Sequence, residues 1–164
     1  MHLQILYMHG NMNGKTPRHT KLRDDAVDLV EHCAGWNSRI AARRITAFFE
    51  REIASTGLSV SQLGLMAAVA ATSDDTLGAL ALKTGLDQST LSRNLRTLEG
   101  EGFVEIATVE SDLRRRVVWL TETGARRLRA AMPVWRAAQA KLSEILSVDA
   151  VRQIARDTER LARD

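Results

Sequence analysis

The sequence is poor in cysteine and has no long apolar run. Cys33 is the single cysteine among 164 residues, so no disulfide can form within the chain, which suits a reducing compartment. No apolar run approaches the roughly 20 residues needed to cross a bilayer. The stretch "LQILYM" near the start also lacks the basic flank and cleavage site of a signal peptide. These absences predict a cytoplasmic protein without a membrane partner.

Motifs for catalysis and for metal binding are also missing. We find no phosphate-binding loop, no nucleophile elbow and no acid–base cluster in a recognisable spacing. The four histidines lie in the first fifth of the chain, and together with Cys33 they match no structural zinc pattern. They are His2, His9, His19 and His32. We therefore expect a protein that is not an enzyme and that uses no metal and no cofactor.

The chain carries little net charge, but that charge is unevenly distributed. The formal net charge is +3, too small to indicate a nucleic-acid partner by itself. Between Asp112 and Arg129, however, six arginines stand against two acidic residues. A local basic patch is a better indicator of a polyanionic partner than the total charge is.

Length and periodicity predict one domain preceded by a separate segment. Residues 1–21 are rich in turn formers, and we expect a flexible N-terminal appendage there. The predicted domain, residues 22–164, has a central lobe at about 57–122 between helical regions at about 24–55 and 123–163. Apolar residues recur every three or four positions in the first region, which predicts one long helix. Pro133 lies in the second region and predicts a fixed kink, with a hinge as the alternative.

The central lobe has the pattern of a helix-turn-helix. "SVSQLGLMAAVAA" and "TLGALALKTG" predict two short apolar helices, and Gly85 ends the second. "LDQSTLSRNLRTLEGEG" predicts a further helix that ends at Gly102. Its apolar face carries Leu86, Leu91, Leu95 and Leu98. The predicted helix N-caps are Ser59, Asp87, Thr121 or Thr123, and Ser147. A short helix, a turn containing glycine and a helix with a polar outer face form a helix-turn-helix.

A β-hairpin is predicted directly after this motif. "FVEIATV" alternates apolar and polar residues, as a half-buried strand does. "ESDLRR" is the predicted turn, and "RVVWL" is the return strand, in which we expect Arg116 to face outward. The predicted fold class is therefore mainly α with a small β-hairpin wing: a winged helix-turn-helix flanked by N- and C-terminal dimerisation helices.

The polar helix has the side chains needed to bind duplex DNA. A helix fits the major groove, where exposed donors and acceptors recognise the base edges. We expect Arg93 to contact a base and Arg96 to contact a phosphate or a guanine. The full predicted set on this helix is Gln88, Ser89, Thr90, Ser92, Arg93 and Arg96, with Asn94 beside them. The alternative is an ordinary amphipathic surface helix.

From about residue 24 to 164 the sequence resembles the MarR family of transcriptional regulators. The resemblance rests on "LDQSTLSRNLRTLEGEGFV" followed by "SDLRRRVVWLTETG", in which Asp112, Arg114, Thr121 and Gly124 have the family's spacing. It implies a homodimer joined through its first and last helices, bound to a pseudo-palindromic operator and acting as a repressor. It also implies that Arg114 approaches the minor groove and that Asp112 braces the wing. We assign Arg115 and Arg116 to phosphates.

The resemblance also implies a small-molecule effector. Family members bind phenolic or acyl compounds between the dimerisation and DNA-binding lobes, and Trp36 and Arg39 are the candidate pocket residues here. A ligand that binds two conformations with different affinity would change the spacing of the two recognition helices.

Two alternative functions remain open. One branch of the family senses organic hydroperoxides through a cysteine near the start of the first helix, where Cys33 lies. That branch also uses tyrosines, whereas the single tyrosine of this chain, Tyr7, lies in the appendage. The other alternative is a winged-helix protein-interaction module that binds no DNA. The polar face around residues 88–93 and the basic wing argue against it.

Overall fold

The chain folds into helices and one hairpin that fall into two compact units, one up to Ile45 and one from Thr46 onward. The computed structural model describes residues 17–72, 76–109 and 112–162, with side chains at 21–72, 76–108 and 116–161. Within these ranges, no helix combines the length and the apolar character needed to span a bilayer. The predicted fold class, mainly α with a winged helix-turn-helix, is confirmed.

The N-terminal unit is formed by helix α1, Pro17–His32, and by the first part of helix α2, Ala34–Glu52. Helix α1 begins at Pro17, inside the predicted appendage, and proline is well suited to a first helical turn. The remainder of that predicted appendage, residues 1–16, lies outside the described residues. The side chains from residue 21 to 39 are all exposed.

The single long helix predicted for residues 24–55 is wrong, because the helix is interrupted at Cys33. The Asn37 side-chain amide donates hydrogen bonds to the carbonyl oxygens of Glu31 (3.0 Å) and Cys33 (3.1 Å). A side chain that binds main-chain carbonyls competes with the regular helical ladder. Helix α2 then ends at Glu52, and Gly57 closes the following 3-10 turn with φ 68°.

The second unit contains the helix-turn-helix, the hairpin and the last helices. In chain order these are α3 Val60–Ala71, α4 Leu77–Thr84, α5 Gln88–Gly100, β1 Val104–Val109, β2 Asp112–Leu120, α6 Glu122–Ser143 and α7 Val148–Thr158. Its core joins residues from α2 to α6. The largest fully buried side chains are those of Ile53, Met66, Leu80, Leu91, Leu95, Leu98, Val104 and Val118.

The helix starts follow from the predicted caps. Ser59 and Gln62 form a reciprocal capping box at α3, so two main-chain amides that would lack partners are satisfied. Asp87, Thr121 and Ser147 each accept a hydrogen bond from a main-chain amide three residues further on. Thr76 caps α4 in the same way. Gly85 (φ 65°) and Gly102 (φ 72°) adopt the left-handed conformation that ends a helix.

The hairpin is antiparallel, and its register decides which side chains face the helices. Val104 pairs with Leu120, Ile106 with Val118, and Thr108 with Arg116. Paired residues share a face, so Arg116 lies on the same face as the buried Val118. The prediction that Arg116 points away from the packed face is therefore wrong, although its side chain is exposed.

Thr121 and Gly124 fasten the base of the hairpin to α6. The Thr121 hydroxyl donates to the Gly102 carbonyl (2.6 Å) and accepts from the Gly124 amide (2.9 Å). The Thr121 amide donates to the Phe103 carbonyl at 3.1 Å. A Cβ at residue 124 would overlap that same carbonyl. Glycine is therefore needed here for close backbone approach rather than for an unusual φ.

Candidate nucleic-acid interface

The outer face of α5 is a polar, open surface. Leu91, Leu95 and Leu98 are buried on its inner face. Opposite them, a shallow groove is lined by Ser89, Ser92, Arg93, Arg96 and Thr97. Thr97 is not among the residues predicted from the sequence to contact DNA, although a position four residues after Arg93 lies on the same helix face. Its hydroxyl donates to the Arg93 carbonyl at 3.2 Å, so its donor is already occupied.

Asp87 organises the first turn of α5. Its carboxylate accepts from the Ser89 hydroxyl (2.6 Å), the Thr90 amide (2.8 Å) and the Thr90 hydroxyl (2.8 Å). The hydrogen bond from the Ser89 hydroxyl, followed by those from Thr90, holds the pKa of Asp87 well below its usual range. The carboxylate is therefore ionised at neutral pH. The sequence placed Ser89 and Thr90 on the DNA-facing surface, but both hydroxyl protons are bound internally.

One flank of α5 faces the wing and the start of α4. Gln88 and Ser92 line a cavity of about 350 Å³, together with the first turn of α4 and Arg116 of β2. An antiparallel bridge between Thr76 and Val117 ties this turn to the hairpin. The structure thus brings Arg116 next to Gln88 and Ser92 of α5, and all three are predicted DNA contacts.

The opposite flank of α5 faces α3. Asn94 lies there, in grooves shared with Ser61 and Leu65. Near the end of the helix, Glu101 accepts two hydrogen bonds from the Gln62 amide, at 2.9 and 3.0 Å. Asn94 is therefore on the edge of the polar face rather than at its centre with Ser89.

The wing arginines lie in an irregular part of β2. Thr108 pairs with Arg116 and the next residue, Val109, pairs with Asp112, so residues 113–115 have no partners on β1. The predicted turn at residues 110–115 is therefore too long, because β2 already begins at Asp112. Bulges are common beside functional sites, where they redirect side chains. The side chains of Asp112, Arg114 and Arg115 lie outside the described residues, and their predicted contacts stay predictions.

The outer face of the hairpin carries an exposed aromatic side chain. Trp119 is 40% exposed, and its indole nitrogen donates to the carboxylate of its cross-strand neighbour Glu105 at 3.1 Å. Trp135 packs against the core, whereas Trp119 remains on the surface.

A second, largely apolar cavity of about 340 Å³ lies between the end of α2, α3 and α6. No charged residue lines it. Among the residues that line the cavity, Gln139 has a side chain with both a hydrogen-bond donor and a hydrogen-bond acceptor. The remaining lining residues are Phe49, Ile53, Val60, Leu63, Gly64, Ala67, Met132 and Trp135. This cavity could not be predicted from the sequence, because its walls come from distant segments.

Three other predicted residues lie in the N-terminal unit. Trp36 and Arg39 are exposed and are absent from the lining of the apolar cavity. Cys33 is an exposed free thiol, and the neighbouring His32 pairs with Asp28 at 3.1 Å. Over the described part of the chain, no group of three or more His, Cys, Asp or Glu residues could hold a metal ion.

This arrangement is similar to that of known proteins. Residues 56–115 match the sequence model of the MarR family. No curated protein sequence matches the chain. The M. tuberculosis transcriptional regulator MosR in complex with DNA is 28% identical, with a TM-score of 0.72 over 80% of this chain and 96% of MosR.

Two further solved structures have similar folds. A second MosR structure is 26% identical, with a TM-score of 0.68 over 81% of this chain and 97% of that one. CouR from Rhodococcus jostii RHA1, bound to p-coumaroyl-CoA, is 21% identical, with a TM-score of 0.64 over 82% and 94%. The family match covers the helix-turn-helix and most of the wing, and the similarity of fold extends to about four fifths of the chain. Residues 56–115 thus carry the sequence pattern of the MarR family, within a fold similar to that of the transcriptional regulator MosR.

Proposed function

We propose that this chain, a DNA-binding transcriptional regulator, acts as a homodimeric repressor that a small molecule releases from its operator. The observation that carries the proposal is the outer face of α5. Arg93 and Arg96 are exposed there and form no ion pair with any described residue. Free cations beside serine hydroxyls on a convex helix suit the major groove, where bases and phosphates lie side by side.

The two classes of contact fall to different residues. Gln88, Ser92 and Arg93 lie on or beside the outer face and carry donors for base edges. Arg96 follows one turn later and binds a phosphate or a guanine. Arg114 in the bulge of the wing approaches the minor groove, whose narrow A·T-rich form concentrates negative potential. Arg115 and Arg116 bind phosphates, and Asp112 braces the wing. MosR, the 28% identical relative, is described in complex with DNA.

Exposed apolar side chains near both ends of the chain support a homodimer. In the N-terminal unit, Leu22 is 67% exposed and Trp36 is also exposed. At the other end, Ile154 on the amphipathic α7 is 60% exposed, and Leu161 in the 3-10 helix Glu159–Ala162 that follows is 78% exposed. A second copy would cover both sets. Such a dimer presents two recognition helices to half-sites about 34 Å apart. This assigns residues of about 24–55 and 123–163 to dimerisation and about 57–122 to DNA binding.

The apolar cavity is our proposed effector site, in place of the surface around Trp36 and Arg39. Its volume of about 340 Å³ falls within the range of small-molecule sites. No charged side chain lines it, so burial of a carboxylate there would be uncompensated. The structure favours an uncharged aromatic or aliphatic effector with one polar group directed at Gln139. A ligand that separates α3 from α6 would shift the recognition helix.

Binding to duplex DNA from the upstream region of its own gene tests the proposal. We expect fluorescence anisotropy to show tight binding that weakens steeply with salt. Several phosphate contacts correspond to a loss on the order of a thousandfold in affinity between roughly 50 and 200 mM salt. Absent or salt-insensitive binding would favour the protein-interaction module instead.

The peroxide-sensing alternative rests on the exposure of Cys33 alone. Reactivity also requires a stabilised thiolate. A sensor would release DNA on treatment with an organic hydroperoxide, and Cys33→Ser would abolish that release. If the variant responds as the unmodified protein does, Cys33 is not the sensor.

A further inference from the structure

Ser89 occupies the centre of the DNA-facing surface at its N-terminal end. It is the second residue of α5, it is exposed, and it shares the outer groove with Arg93 and Arg96. The N-terminal residues of a recognition helix are those that contact base edges. Ser89 is therefore placed to contact a base, provided that the protein binds DNA as proposed above.

The hydroxyl proton of Ser89 is committed to Asp87. The Oγ–Oδ1 distance is 2.6 Å, within the range of a short hydrogen bond to an ionised acceptor. An ionised carboxylate has no proton to give, so the hydrogen in this bond comes from Ser89. A bond of this kind is roughly twice as strong as one between neutral groups. The outward side of the Ser89 oxygen thus carries lone pairs and no donor.

This arrangement limits what Ser89 can contact. A phosphate oxygen only accepts hydrogen bonds, so the committed Ser89 oxygen cannot bind one. In the major groove, adenine and cytosine present an amino group, whereas guanine and thymine present acceptors. We propose that Ser89 selects a base with an exocyclic amino group, an adenine or a cytosine on the contacted strand, at one position of each half-site.

The neighbouring residues differ from Ser89 in their hydrogen-bonding groups or in their place on α5. Arg93 and Arg96 are donors without an acceptor, and Thr90, whose hydroxyl is also bound to Asp87, is half-buried. Gln88 lies on the flank beside Arg116, and Ser92 lines both that flank and the outer groove but is half-buried. The Thr97 hydroxyl, which donates to the Arg93 carbonyl, is a second exposed acceptor in the groove, but it lies about two helical turns further along α5. Ser89 therefore supplies the acceptor at the N-terminal end of the face, where the arginines offer only donors.

A double-mutant cycle between protein and DNA tests the proposal. The binding motif of the unmodified protein is first selected from a random duplex library. Each adenine in the motif is then replaced by purine, and each cytosine by pyrimidin-2-one, which deletes one amino group at a time. Dissociation constants are measured for the unmodified protein and for three variants. Ser89→Ala removes the acceptor, Ser89→Thr retains it, and Ser61→Ala is the matched control on α3, outside this groove. The weaker base pair of each analogue is common to all four proteins and cancels.

In each half-site, we expect one amino deletion to raise the dissociation constant about fivefold, the loss that corresponds to one neutral hydrogen bond. This increase should be seen with the unmodified protein, with Ser89→Thr and with Ser61→Ala. Ser89→Ala should bind the same duplex and its parent equally well. The Asp87 cap on the Thr90 amide persists in this variant, so α5 should still form. If Ser89→Ala responds to every deletion as the unmodified protein does, the inference is wrong. If the library yields no motif at all, the proposed function fails instead.

Discussion

Gly124→Ala is the substitution for which helix propensity and packing predict opposite results. Residue 124 lies in the first turn of α6 and has no positive φ. On propensity alone, alanine would stabilise a helix by about 0.8–1.0 kcal/mol over glycine. The structure predicts the reverse, because the added Cβ would overlap the Phe103 carbonyl.

The expected net effect follows from three contributions. Overpacking typically costs about 1–3 kcal/mol. Moving the Phe103 carbonyl also weakens its hydrogen bond from the Thr121 amide, worth about 1 kcal/mol. These losses outweigh the helical gain, so Gly124→Ala should lower the free energy of unfolding by about 1–3 kcal/mol. At this chain length, the melting temperature falls by about 2–4 °C for each kcal/mol.

Gly64→Ala is the matched control. Residue 64 lies in the interior of α3, and a Cβ there meets nothing within 4 Å. This variant should be stabilised by up to about 1 kcal/mol. Both variants are compared with the unmodified protein by urea and thermal unfolding at one protein concentration, because the stability of any oligomer depends on concentration. A Gly124→Ala protein as stable as the unmodified one would refute the close-approach argument.

Four further predictions concern DNA, ligand, partner and pH. Arg93→Ala should lose about 1–3 kcal/mol of affinity for the selected motif and less for random DNA; equal losses on both in anisotropy titrations would exclude a base contact. Gly64→Leu should fill the apolar cavity, so a screened effector should no longer release the variant from DNA, although its DNA affinity is kept; retained release would move the effector site elsewhere. Ile154→Lys should shift the dimer toward monomer in analytical ultracentrifugation, whereas an unchanged sedimentation coefficient would remove α7 from the interface. Because the folded-state pKa of Asp87 is depressed, its stabilising effect is present above the ordinary value of 3.8 and is lost as the pH falls below it; Asp87→Asn should weaken that part of the acid dependence of unfolding, and an identical acid profile would contradict it.

Local signals made much of the DNA-binding lobe predictable. The caps at Ser59, Asp87 and Thr121 depend on residues within three positions, and the left-handed glycines depend on their own backbone. The two strands follow from alternation over a few residues. Each of these features is decided within one turn or one pleat, so a single sequence is sufficient to identify it.

Features that depend on register or on distant segments could not be predicted in the same way. The unpaired residues 113–115 shift the pairing of β2, and one position in register reverses the face of a strand residue such as Arg116. Where α1 ends, the Asn37 side chain donates to the Glu31 carbonyl, a contact that apolar periodicity does not reveal. The apolar cavity joins α2, α3 and α6, which lie far apart in sequence.

The attachment of the hairpin to α6 makes the wing a lever arm. Met132, Trp135 and Gln139 of α6 line the apolar cavity, while the first turn of the same helix is bound to Gly102 and Phe103 at the hairpin base. A nine-residue strand is about 30 Å long at about 3.3 Å per residue. With an arm of that length, a tilt of α6 by about 5° would displace the wing tip by about 2.5 Å. If an effector binds in the cavity as proposed, the wing would amplify a small rearrangement there into a displacement comparable with a hydrogen-bond length.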